Sequence, residues 1–144
     1  MTMSTIAKPD IAAANPASTS MQDVLALLAR LLLALLFVLA GINKIGAMEG
    51  TVGYIGSVGL PFPELMYFGT IALEIGGGLL LAIGFRARHV ALAMGTFTVL
   101  TAVIFHNDFS QQIEITMFLK NLAIAGGMFA IAAFGAGRYS LDRG

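Results

Sequence analysis

The chain has 144 residues, of which 58% are hydrophobic and 11% charged, with zero formal net charge and no cysteine. That balance excludes an ordinary soluble domain, whose charged share is roughly a quarter, and a basic nucleic-acid-binding surface. It also excludes thiol, disulfide or iron–sulfur chemistry within this polypeptide, although a partner chain could carry such a group.

Taken in order, residues 1–22 mix Ala, Ser, Thr, Asn and two prolines with few large apolar side chains, too little to bury against the entropy of ordering. They are expected to form a flexible cytoplasmic tail ahead of a membrane domain at 23–142. Asp23 stands before the run Val24 to Ala40 as a candidate N-cap, and the apolar pattern of helix one continues to Ala47. A signal-peptide reading would use Arg30, Leu31 to Ala40 and Ala47, but the segment ahead is long and weakly charged, and the apolar run begins too early. Met48 to Pro63 carries Gly50, Gly53, Gly56, Gly59 and Leu60-Pro61-Phe62-Pro63, so it reads as the longest loop.

Glu64 to Gly84 is long enough, at about 1.5 Å of rise per residue, to cross a hydrocarbon core of roughly 30 Å. It holds one carboxylate, Glu74, near its middle. A basic connection, Phe85 to His89, leads to helix three, Val90 to about His106. Asn107 to Glu114 is polar, and helix four runs from about Ile115 to Phe134 before Gly135 and Gly137. The fold class is therefore all-α, an integral membrane four-helix bundle with short loops. Lys8, Arg86, Arg88, Arg138 and Arg143 fall on one side, while Glu49, Glu64, Asp108 and Glu114 fall on the other with Lys44 and Lys120. The bias predicts an inner-membrane protein with both termini cytoplasmic.

Two polar layers follow. Counted from the cytoplasmic ends of their helices, Arg30 lies about 10 Å deep and Glu74 about 15 Å. An intramembrane ion pair, Arg30 with Glu74, is predicted, since a buried carboxylate needs a partner. Nearer the outer face, Lys44, His106, Lys120 and Asn121 come from three helices at similar depth and form a candidate ligand-binding layer. Arg30, Phe37, Gly41 and Lys44 share one stripe of helix one, and Tyr67, Thr70, Gly77, Gly78 and Leu81 share the face of Glu74.

Each of these has a plainer rival. The ion pair could simply lock two helices together. Lys44 and Lys120 could snorkel to headgroups, and His106 could be an interfacial histidine. His89 lies at the opposite end from His106, so the two cannot clamp one haem, and no metal site is expected. Gly76-Gly77-Gly78 lacks nucleotide-binding spacing and reads as helix packing.

With these residues assembled, the chain resembles the DoxX family of small four-helix membrane proteins, which includes relatives of the DoxD subunit of thiosulfate:quinone oxidoreductase. The resemblance covers roughly Val24 to Asp142. It rests on Arg30 with Phe37, Gly41 and Lys44; on Leu60-Pro61-Phe62-Pro63; on Glu74 with Gly77, Gly78 and Gly84; on His106; and on Gly135-Ala136-Gly137-Arg138-Tyr139-Ser140-Leu141-Asp142. Ala136 stands where many relatives have proline. The resemblance implies an accessory or small subunit of a membrane redox system, touching quinone or sulfur compounds, and not an enzyme on its own. A lipid bilayer, a membrane or peripheral redox protein, and a second copy of the chain are the partners to consider. A small transporter gated by Arg30 and Glu74, or a structural partner with no ligand, are the alternatives. The quinone reading uses Lys44, His106, Lys120 and Asn121 as donors, with His106 as the proton-exchanging group.

Overall fold

In lipid a backbone must satisfy its own polar groups, and the apolar runs do so as helices. The structure, a computed structural model, describes residues 16–142. The expected tail lies outside the described residues as far as residue 15, as do Lys8 and Arg143. Helix α1 is Pro16–Gly46, α2 is Met48–Ser57, α3 is Pro63–Ile83, α4 is Ala87–Phe105 and α5 is Gln112–Phe134. Within α3 the stretch Ala72–Gly77 is π-helical. No strand occurs among the described residues. Met21–Gly46, α3, α4 and α5 are the four candidate membrane spans, as the apolar runs predict.

Helices α4 and α5 each begin three residues before their expected starts, at Ala87 and Gln112, and two larger differences matter more. Helix α1 begins at Pro16 rather than at Asp23, with proline at the helix start, where its missing N–H leaves nothing unsatisfied. Asp23 therefore does not cap it. Its carboxylate instead accepts the backbone N–H of Arg138 at 3.0 Å. The segment expected as the longest loop is mostly α2. Glycine costs about 1 kcal/mol in a helix relative to alanine, but at a membrane boundary an unpaired backbone group costs more. The Thr51 and Ser57 hydroxyls donate to the carbonyls of Ala47 and Tyr54, Ile55 is buried, and the Tyr54 hydroxyl donates to the Phe105 carbonyl at 3.0 Å. Helix α2 packs on the start of α3, and Tyr54 ties it to the end of α4.

Small residues set the register of α1 on α3. A Cβ placed on Gly41 would lie 2.6 Å from Ile75 Cγ1, and one on Gly78 would lie 2.8 Å from Val38 Cγ2. Such gaps let helices approach closely where lipid gives no hydrophobic drive to associate. Helix α5 packs along α4, and Phe37, Leu81, Met94 and Met128 form the core between the layers.

The end carrying Arg86, Arg88 and Arg138, called the basic end below, is closed by the segment Gly135 to Asp142. The Leu141 and Asp142 backbone amides donate to the carbonyls of Ile83 at 3.1 Å and Gly84 at 2.9 Å. The Asp142 carboxylate accepts the backbone N–H groups of Arg86 at 2.7 Å and Ala87 at 2.6 Å, which satisfies the start of α4.

Candidate functional site

The predicted Arg30–Glu74 pair does not form. Arg30 is fully buried beside Gly84, where its guanidinium donates to the carbonyls of Leu81 and Ala82, each at 3.4 Å, and to that of Tyr139. It closes the C-terminal end of α3, a position that favours a cation. Glu74 lies opposite Gly41, eleven positions along α1 from Arg30 or roughly 16 Å. The expected depths fail because α1 extends beyond the bundle. Its level with the end of α3 is Arg30, not Asp23.

The partner of Glu74 is Lys44. Lys44 Nζ donates to both carboxylate oxygens at 2.9 Å, and Glu74 is 5% exposed. Gly41 provides the room: an added Cβ there would sit 3.4 Å from the Glu74 Cβ. The Tyr67 hydroxyl donates to the Lys44 carbonyl at 3.0 Å, fixing the end of α1 on α3. Glu74 stands inside the π-helical stretch, a widening that recurs at functional sites in helices.

Above this pair lies a cavity of about 740 Å³, lined by Lys44, His106, Lys120 and Asn121 together with Glu74 and Phe37. All four residues of the outer polar layer thus border one space. They do not contribute alike. His106 ends α4, and its Nδ1 is 2.8 Å from Glu114 Oε2 in the first turn of α5. Lys120 is exposed at the rim, with Nζ 3.1 Å from Met117 Sδ. Asn121 is half-buried, and its side chain has no hydrogen-bond partner among the described residues. Gly41 is taken up by the α1–α3 contact and does not line the cavity, and of Leu60 to Pro63 only Leu60 reaches it.

Sequence reasoning overlooked Glu114 and Tyr54. Glu114 was grouped with the loop acids, yet a short turn between antiparallel helices brings residues eight apart together, which is a readable signal. Tyr54 lies in the segment read as a loop. Burial raises the pKa of its phenol above the ordinary value, and the nearby Glu114 charge adds to the effect. Thr70 and Thr101 also face the cavity. Among the described residues no three His, Cys, Asp or Glu side chains come together as a metal site. Chemically, the space is an apolar chamber with an ion pair at its floor and a histidine–carboxylate pair at its mouth. That combination suits a lipophilic molecule with a polar head.

The DoxX family profile matches residues 25–107. "Inner membrane protein YqjF" of Escherichia coli (strain K12) is 43% identical over 123 residues, covering 85% of this chain and 93% of that protein. "Inner membrane protein YphA" of the same organism is 34% identical over 146 aligned positions, covering 98% of this chain and 99% of that protein. "Putative oxidoreductase CatD" of Bacillus subtilis (strain 168) is 35% identical over 78 residues, or 54% of this chain and 56% of that protein. No solved structure matches the chain. With the profile spanning more than half of the chain and four apolar helices to match, this membrane protein belongs to the DoxX family.

Proposed function

We propose that the chain is an accessory or small subunit of a membrane redox system, and that its outer cavity takes a quinone. One observation carries the reading: donors from α1, α4 and α5 converge on one largely apolar chamber of about 740 Å³, within the usual range for small-molecule sites. A quinone has an apolar ring and tail with carbonyl oxygens that accept hydrogen bonds. Lys44, with a proton left over after its two bonds to Glu74, and the Asn121 amide can donate to such oxygens. His106, held against Glu114, can exchange a proton at the mouth of the chamber. The resemblance to CatD supports the redox setting.

On this reading the protein sits in the inner membrane with both termini cytoplasmic, beside a membrane or peripheral protein that supplies the electrons. The transporter alternative is weaker. Leu81, Met94 and Met128 are fully buried between Glu74 and Arg30 and separate the two charges that would gate a path.

Titration of the purified chain in detergent with a short-tailed, water-soluble quinone tests the proposal. Binding should weaken about tenfold when His106→Ala and Asn121→Ala are combined, because each lost hydrogen bond contributes roughly 0.5–1.5 kcal/mol. Binding unchanged in that variant would remove the site.

A further inference from the structure

A second cavity, about 430 Å³, runs between α3 and α4 towards the basic end. Its walls are apolar and its floor is made of small residues. A Cβ built on Gly76 would meet nothing within 4 Å, whereas one on Gly77 would press on Met94 Sδ at 2.7 Å. Gly77 therefore closes the helix contact, and Gly76 leaves an open furrow. Leu80 and Phe85, 37% and 46% exposed, border it. Exposed apolar walls on a membrane span face acyl chains.

The furrow ends at Arg86 and His89. Both side chains are exposed and have no hydrogen-bond or ion-pair partner among the described residues. Their neighbour Arg88 is committed differently, donating to the carbonyl of Ala133 at 2.8 Å at the end of α5. The nearest carboxylate, Asp142, is held by two backbone amides. Arg86 also adopts a left-handed backbone, φ 46°, which costs a residue with a side chain about 1–2 kcal/mol. The two Asp142 bonds at Arg86 and Ala87 hold it there. The arrangement fixes a guanidinium without an ion-pair contact among the described residues, and an imidazole, at headgroup depth directly above an apolar furrow.

We propose that this furrow binds one anionic phospholipid, with an acyl chain along Gly76 and Leu80 and the phosphodiester against Arg86 and His89. Basic pockets between membrane helices select anionic headgroups in this way. A zwitterionic headgroup fits less well, since its own cation would meet Arg86. The site is separate from the outer cavity and stands whether or not a quinone binds there.

The chain contains no tryptophan, so Phe85→Trp gives a background-free reporter inside the furrow. The full chain carrying it is reconstituted in lipid vesicles that contain no other protein, with lipids brominated on the acyl chains, which quench indole fluorescence on contact. Phosphatidylglycerol should quench at about five-fold lower mole fraction than phosphatidylcholine for each cationic group engaged. Combining Arg86→Gln with His89→Gln should abolish the preference, and Gly76→Phe, which fills the furrow, should reduce quenching by both lipids. Equal curves for the two lipids, or a preference that survives the double change, would overturn the headgroup assignment. Quenching undiminished in Gly76→Phe would overturn the acyl position. If Phe85→Trp loses its helical circular dichroism, Leu80→Trp reports from the same furrow with the same outcomes.

Discussion

Lys44 and Glu74 are not equally costly to separate. Glu74 is 5% exposed and has Lys44 as its cationic partner, whereas the Lys44 side chain is 29% exposed and can swing towards the headgroups if released. Lys44→Leu strands a carboxylate in the bundle and should lower stability by about 3–5 kcal/mol. Glu74→Leu should cost clearly less, and the two changes together should recover most of the Lys44→Leu loss. Thermal unfolding of the purified variants in one detergent checks the order, and equal losses for the two single changes would contradict it. Arg30 with Glu74 should show no such recovery, because residues roughly 16 Å apart without shared partners act additively. The need of Glu74 for a cation was legible in the sequence from its depth in an apolar run. Which cation it takes was not. That choice depends on where α1 starts relative to α3, and counting from Asp23 placed the two helices about seven residues out of step.

At the scale of elements, the spans were legible because a run of roughly 20 apolar residues has few other uses. Helix α2 was not, since its glycines argue locally for a loop while its packing on α3 decides otherwise. Nor was the π-helical stretch at Glu74, which no residue pattern in Ala72–Gly77 marks. Gly84 has φ 69°, and a Cβ added there would collide with Arg30 Nη1 and Ser140. Gly84→Ala therefore forces a side chain into the left-handed region and pushes the guanidinium off the carbonyls of Leu81 and Ala82. The backbone alone costs about 1–2 kcal/mol, and the displaced guanidinium adds to it. Protease cleavage near Tyr139 should accelerate together with the fall in melting temperature, because Arg30 also holds that carbonyl. A variant that melts early while the C-terminal segment stays protected would show that Arg30 and the segment are not coupled.

For the whole molecule, the polar groups divide between two ends with an apolar waist. Arg30 and the segment Gly135 to Asp142 close the basic end, the cavity opens at the other, and Leu81, Met94 and Met128 fill the space between. The contact of the Arg138 amide with Asp23 requires the start of the first span and the end of the last to lie on one face, as four crossings demand. Orientation in the membrane then rests on Arg86, Arg88 and Arg138, which predict that this face is cytoplasmic. A chain without cysteine lets single thiols report their own side. Ser57→Cys ends α2, Ser110→Cys lies between α4 and α5, and Tyr139→Cys sits in the closing segment, all at exposed positions. A membrane-impermeant maleimide applied to intact cells should label the first two, and should reach the third only after permeabilisation. Labelling of Tyr139→Cys alone in intact cells would invert the bundle and place the cavity mouth in the cytoplasm. Labelling of Ser57→Cys but not Ser110→Cys would break the four-span topology itself, since both lie at the end of the bundle opposite Asp142.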